Sequence, residues 1–438
     1  MIMRAIKTRL IIMNFLQFAV WGSYLTSMGG YLFAEGHGDL IGWFYAMQGI
    51  VSMFMPAVMG IIADKWIPAQ RLLGLCHAVA ALFIAAAGYF AHSGMIPQMF
   101  TLYSISVAFY MPTLALSNSV AYTSLEQGGY DTVKAFPPIR VFGTVGFIVA
   151  MLVCDFAGFQ TSHIQFYQCA LVGVSMTLFT LLLPHCPVSK AQGNKSLMQR
   201  LGLDAFKLFK SKQMALFFIF SMLLGVSLQI TNGFANGFIT SFKNLPEFAN
   251  TFGANHANAL ISLSQVSETL CILLIPFCLK RLGIKWVMLI AMFAWVLRFG
   301  LFGLGNPGAG LWMFILSMIV YGVAFDFFNI SGSLFVNENT SGEMRSSAQG
   351  LFMIMTNGIG ATVGTLGAQA VVNRFVPGAM ENACSLCGAP VVTNGNAIAA
   401  GWSETWLIFA GYALVVALLF WVLFKYKHDP NKMVETKH

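Results

Sequence analysis

Residues 309–336 read AGLWMFILSMIVYGVAFDFFNISGSLFV, with Asp326 as their one charged side chain. A bilayer core about 30 Å thick is crossed by about 20 apolar residues in a helix, so this stretch is long enough to span it. Eleven further runs of the same kind lie near 10–33, 40–63, 70–92, 96–123, 137–159, 164–185, 213–241, 255–280, 284–305, 343–374 and 403–426. They do not alternate by twos as barrel strands would, and a helix satisfies its backbone groups internally. The pattern predicts an all-α membrane protein of twelve transmembrane helices.

Composition agrees. Of 438 residues, 57% are hydrophobic and 9% are Asp, Glu, Lys or Arg, where a soluble domain carries about 25% charged residues. Mean hydropathy is +0.73. A soluble enzyme is excluded, and so are disorder and coiled coil, because 40 Phe and 25 Met make a packing inventory. The net charge of +8 would point to nucleic acid only if the basic residues clustered on one folded surface. They follow membrane sidedness instead. With a cytoplasmic N-terminus, 20 of the 24 Lys and Arg fall on that side; Lys243 and Arg374 fall outside, and Arg140 and Arg298 lie within helices. Both termini are then cytoplasmic, in keeping with the positive-inside rule. The first run follows Arg4, Lys7 and Arg9 but is too long for a signal peptide and lacks a small-x-small cleavage site, so it reads as retained.

The longest cytoplasmic stretch divides the chain into a six-helix bundle over 1–185, a linker over 186–212 and a second six-helix bundle over 213–438. The halves echo one another weakly: Val107-Ala108-Phe109-Tyr110 resembles Val323-Ala324-Phe325-Asp326, and Pro56 and Pro276 precede corresponding basic loops. Such echoes also arise by chance in an apolar sequence, but paired pseudo-symmetric halves are a transporter plan. Gly60-Ile61-Ile62-Ala63-Asp64-Lys65 resembles the start of the signature between spans two and three of major facilitator transporters. Glycine there would permit close helix approach, and Asp64 would bond the helix-end amides of a neighbouring bundle. Trp66-Ile67-Pro68-Ala69-Gln70-Arg71 departs from the usual glycine and basic pair.

A charge in mid-membrane costs about 2.5–3.5 kcal/mol on insertion scales, so each one asks for a reason. Arg140, Glu268, Arg298 and Asp326 qualify, and two positive and two negative groups could cancel. Asp155, near a helix end, is expected in the interface. Structural pairing competes with function at Arg140, Glu268 and Asp326, and is the preferred reading for Arg298. Arg140, Thr144 and Phe147 share one helix face at i, i+4 and i+7, as do Gln229, Asn232 and Asn236 at i, i+3 and i+7. Gln265 and Glu268 stand at i, i+3. Tyr321 and Phe325 stand at i, i+4 beside a stripe of Asp326, Asn329 and Ser333. Asn236 and Ser333 read as glue between helices, and any one of the aromatic rings, taken alone, reads as packing. Together, carboxamides, hydroxyls and aromatic planes suit a flat base with a sugar diol. A phosphorylated ligand would bring about two further negative charges with no surplus cations to meet them, so a neutral solute is favoured.

Asn14-Phe15-Leu16-Gln17-Phe18 with Trp21-Gly22-Ser23, Phe136-Pro137-Pro138-Ile139-Arg140 with Gly143-Thr144-Val145-Gly146-Phe147, Gln229-Ile230-Thr231-Asn232, Ser264-Gln265-Val266-Ser267-Glu268-Thr269 and Tyr321-Gly322-Val323-Ala324-Phe325-Asp326-Phe327-Phe328-Asn329 resemble the bacterial nucleoside permeases of the nucleoside:proton symporter family. The likeness covers nearly the whole chain. It implies a twelve-helix major facilitator fold in the inner membrane that imports nucleosides with protons. It also implies that Arg140, Thr144, Phe147, Gln229, Asn232, Gln265, Glu268, Tyr321 and Phe325 line the nucleoside site, with Asp326 in transport or proton coupling. Glu268 is the competing proton carrier. The loop over about 375–402 looks longer than in the family's best-known members.

That loop holds Cys384-Ser385-Leu386-Cys387. Zinc would need two more ligands, and a disulfide and a pair of free thiols remain open alternatives. The other six cysteines read as small apolar filler. Neither Walker A nor His-Glu-x-x-His occurs, against ATP-driven pumping or zinc proteolysis. No cofactor or metal is expected; the partners are nucleoside, protons and the lipid bilayer, not nucleic acid, and a monomer is expected. A symporter for another neutral polyol, such as a sugar or a xanthosine-like compound, and a non-transporting solute sensor are the competing readings.

Overall fold

A computed structural model describes residues 2–188, 203–340, 342–376 and 395–426. Part of the expected linker, and Cys384 and Cys387, fall outside the described residues. Every regular element within them is helical. Among the described residues eight helices are long and apolar enough to cross a membrane, and a bent pair, Gly38–Ser52 with Met55–Ala63, makes a ninth if counted as one span. This is a multi-pass membrane protein.

The helices run in order as α1 Ile2–Gly22, α2 Met28–Ala34, α3 Ile41–Ser52, α4 Met55–Lys65, α5 Ala69–His92, α6 Ile96–Gln127, α7 Thr132–Phe156 and α8 Ile164–Thr180. There follow α9 Lys212–Ser241, α10 Ala257–Leu304, α11 Leu311–Glu338, α12 Gly342–Met353, α13 Ala361–Phe375 and α14 Gly395–Leu423. Each predicted apolar run holds helix, yet several are interrupted. The first breaks between α1 and α2, and the second breaks before Pro56 of α4. Ile354–Gly360, between α12 and α13, is a π-helical stretch, a form that often marks functional sites. The runs 255–280 and 284–305 join within α10, where Gly283 at φ +77° and ψ 168° breaks the helix. Only glycine takes that backbone without strain.

The chain clusters into two units, Met1–Tyr31 with Trp43–Leu201, and Leu32–Gly42 with Gly202–His438. The short stretch Leu32–Gly42 therefore belongs with the second unit. Gln369 of α13 holds it there: the amide nitrogen donates to Gly38 O at 2.8 Å and to Asn373 Oδ1 at 2.7 Å, and the amide oxygen accepts from Gly42 N at 2.6 Å. The Phe33 ring packs against Trp402 at 5.9 Å.

Within the first unit a buried chain of hydrogen bonds joins α1, α5 and α6. Thr113 spends its hydroxyl proton on Tyr110 O at 2.5 Å, so it must accept from Gln17 Nε2 at 2.7 Å. That fixes the amide orientation, and Gln17 Oε1 then accepts from His77 Nε2 at 2.8 Å. The histidine tautomer follows from its partners. Tyr110 closes the network by donating to Gln17 O at 2.9 Å. Among the remaining expectations, five of the six described cysteines are buried, as filler should be.

One expectation is corrected. Gly60 was expected to permit a close helix approach, but a Cβ built there meets nothing within 4 Å; Gly60–Lys65 forms the end of helix α4. Asp155 stands one residue from the end of α7, is 3% exposed and accepts from Gln160 Nε2 at 3.0 Å. Its place near the end of α7 gave no sign that Gln160 would fold back over it.

Gln17→Leu should strand the His77 N–H and remove the donor to Thr113. Each orphaned buried group costs about 1–3 kcal/mol, so the thermal midpoint of the detergent-solubilised protein should fall clearly. An unchanged midpoint would remove this network from the stabilising interactions.

Candidate functional site

The first unit contributes one polar and aromatic cluster, formed where α1 and α7 lie backbone to backbone. A Cβ on Gly22 would collide with the Phe147 backbone, and one on Gly146 with the Phe15 backbone. Small residues at such seams let helices approach closely. The seam places Arg140 of α7 over the Phe18 ring of α1, with its guanidinium carbon 3.8 Å from the ring centroid. Gly143 leaves room for both: a Cβ there would come within 2.7 Å of Arg140 Nη1 and of the Phe18 ring. Phe147 is buried, with its ring edge-on to Trp21 at 6.4 Å, and Thr144 is half-buried one turn after Arg140. Phe18 and Trp21 carry this cluster as much as the predicted residues do. Their i, i+3 spacing opposite a glycine-bearing helix was the available signal.

The second unit gathers the remaining candidates. On α9, Asn232 Nδ2 donates to Gln229 Oε1 at 2.8 Å, as their spacing predicts. Asn236 donates to Asn258 Oδ1 at 2.9 Å, a buried bond between α9 and α10 consistent with its expected role as glue. α11 lies directly on α10: a Cβ at Gly322 would meet the Ser267 backbone, and Ser267 Oγ donates to Ile319 O. This sets Gln265, Glu268 and Asp326 within electrostatic range of the Tyr321 hydroxyl. The Tyr321 and Phe325 rings stack nearly parallel, with centroids 5.7 Å apart and planes at 5°.

Asp326 is 5% exposed, and its Oδ2 is buried without a hydrogen-bond partner among the described residues. A carboxyl in that setting calls for a donor: its own proton, a water or a ligand hydroxyl. Arg298 was expected to balance an acid. It is instead fully packed, with no carboxylate partner among the described residues; Nη1 donates to Ser317 O at 2.5 Å, and the guanidinium lies over Tyr321 at 4.7 Å and Phe302 at 5.1 Å. The spacing of charges along the sequence gives their number but not their distances, which is why the expected pairing failed.

A crevice in the same unit is lined by Leu228, Trp295, Phe325, Phe328, Asn329 and Asn357, beside the π-helical stretch. Three glycines hold α9 against that stretch and α13: Cβ atoms at Gly225, Gly360 and Gly364 would strike the backbones of Thr356, Met222 and Val226. Among the described residues no group of three or more His, Cys, Asp or Glu could hold a metal ion.

A family model described as "Nucleoside H+ symporter" matches residues 3–429. The chain belongs to the nucleoside–proton symporter family. The symporter is 47% identical over 427 residues to the nucleoside permease NupG of Escherichia coli (strain K12), covering 97% of each chain. It is 46% identical over 433 residues to the xanthosine permease of the same organism, covering 98% of each. A crystal structure of the nucleoside transporter NupG superposes on it with a TM-score of 0.85 at 48% identity, covering 96% of this chain and all of that one. These relatives are permeases, and the symporter is a transport protein, not an enzyme.

The α10–α11 seam gives a controlled test. Gly322→Leu, against the Ser267 backbone, should destabilise the symporter by about 1–3 kcal/mol or more, as overpacking does. Gly300→Leu, where a Cβ meets nothing within 4 Å, should leave the thermal midpoint nearly unchanged. Equal effects at the two positions would refute the seam.

Proposed function

We propose that this symporter imports nucleosides with protons across the bacterial inner membrane by alternating access of two six-helix bundles, residues 1–185 and 213–438, joined by a cytoplasmic linker. Twelve crossings follow if the eight apolar helices and the bent α3–α4 pair are joined by the broken α1–α2 pair and α8, and if α10 is counted twice across Gly283. The distribution of basic residues then places both termini in the cytoplasm.

In this reading the nucleoside is bound by Arg140, Thr144, Phe147, Gln229, Asn232, Gln265, Glu268, Tyr321 and Phe325. Aromatic faces stack the base, carboxamides match its donor and acceptor edge, and Glu268 accepts from the sugar hydroxyls. The observation that carries proton coupling is the buried Asp326 carboxyl, whose Oδ2 has no protein partner among the described residues although Glu268 is its electrostatic neighbour. Two like charges within electrostatic range in an apolar setting do not coexist cheaply, so uptake of one proton from outside leaves the pair with a single negative charge as nucleoside binds. Rocking of the bundles then exposes both ligands to the inside. One charge crossing 100 mV supplies about 2.3 kcal/mol, which corresponds to roughly 50-fold accumulation of a neutral solute.

Purified protein in liposomes should accumulate labelled uridine when the outside is made acidic or the inside negative, and excess xanthosine, purine nucleosides and sugars should rank the substrates by competition. Asp326→Asn should abolish gradient-driven accumulation while sparing much of the exchange; normal accumulation in this variant would exclude Asp326 as the coupling residue. Phe147→Ala and Gln229→Ala should each weaken uridine binding by about five- to thirtyfold, the range of about 1–2 kcal/mol. Parent-like affinity in both would move the site elsewhere.

A further inference from the structure

Arg298 is 2% exposed, stands on the second half of α10 and is absent from the set of residues proposed to touch substrate. A guanidinium kept only to hold helices together would be expected to meet a carboxylate, and none does so among the described residues. It is instead engaged by α11 in a reciprocal clamp: Arg298 Nη1 donates to Ser317 O at 2.5 Å, and Ser317 Oγ donates back to Arg298 O at 3.0 Å. The clamp sets the guanidinium plane one helical turn before Tyr321, 4.7 Å from its ring centroid. Trp295 meets the same ring edge-on at 6.0 Å and 89°, and Phe325, one turn further along, stacks parallel to it.

We propose that Arg298 is a positioning residue for nucleoside binding, acting through Tyr321 by fixing the ring that, with Phe325, forms the base-stacking platform. This rests on the reading above that Tyr321 and Phe325 contact the nucleoside. Two further features favour positioning over stability. Arg298 Nε is buried without a hydrogen-bond partner, a cost that an apolar side chain of similar length would avoid. Replacing a buried charge by a well-packed apolar residue is often neutral or stabilising. What methionine cannot replace is the attraction between a planar cation and an aromatic face, which is strongest where water is excluded.

The experiment measures the thermal midpoint without ligand and the uridine dissociation constant for the purified full-length protein and for Arg298→Met, Arg298→Lys, Tyr321→Ala and the double variant Arg298→Met/Tyr321→Ala. Arg298→Met is expected to keep or raise the midpoint yet weaken uridine binding by about three- to thirtyfold, the span of a cation–π contact. Arg298→Lys, which retains charge but not the planar fork, should fall between Met and the parent. Once Tyr321 is alanine, Arg298→Met should cause no further loss. Parent-like affinity in Arg298→Met, or losses that multiply in the double variant, would overturn the proposal. If Arg298→Met fails to fold, parent-like affinity in Arg298→Lys would likewise overturn it, whereas weakened binding by a stably folded Arg298→Lys would support it. Parent-like affinity in Tyr321→Ala would instead sink the underlying site reading, and this proposal with it.

Discussion

Inside a bilayer no water reaches a buried amide, hydroxyl or carbonyl, so a polar side chain there depends on another part of the protein for its hydrogen bonds. Much of the architecture follows from meeting that requirement. Gln17 joins three helices because its amide has both a donor and an acceptor to place, and Thr113 and His77 offer the matching groups. The Asn236–Asn258 pair does the same for α9 and α10, and Gln369 does it for a stretch of backbone far away in sequence. The requirement is not met everywhere: His77 Nδ1 and Arg298 Nε are among the buried atoms without a hydrogen-bond partner among the described residues. Asp326 has a buried oxygen that no described residue satisfies, and that deficit gives a proton or a ligand hydroxyl something to supply.

Close backbone approach is the second determinant. Gly22 and Gly146 seat α1 against α7, Gly322 seats α11 against α10, and Gly225, Gly360 and Gly364 seat α9 against the π-helical stretch and α13. These seams lie beside candidate ligand-binding groups. Lipid gives no hydrophobic drive for helices to associate, so dense contact between backbones carries much of the packing. The same contact fixes where Arg140, Tyr321 and Phe325 project. Precision at the site thus comes from residues that have no side chain at all.

The helices were legible because apolar length is a direct consequence of bilayer thickness, and every predicted run contains helix. Their interruptions were not. Hydropathy averages over many residues and carries no information about hydrogen-bond register, so neither the break after Gly22 nor the π-helical turn at 354–360 left a trace in it. Contacts between residues three or four apart were readable, as for Gln229 with Asn232. Those that depend on which helices meet were not: Phe18 under Arg140 and Arg298 behind Tyr321 require tertiary geometry. The expected ion pairing of Arg298 failed for the same reason. Gly60 shows the converse, a resemblance to a motif without the close approach that the motif suggests.

The stretch Leu32–Gly42 lies in the first half of the chain yet belongs with the second unit. A gene divided at the central linker would therefore yield two polypeptides, the first of which carries a piece of the other's fold. Reassembly of such fragments would have to restore the hydrogen bonds of Gln369 to Gly38 and Gly42 across the cut chain, so complementation would include recapture of this stretch.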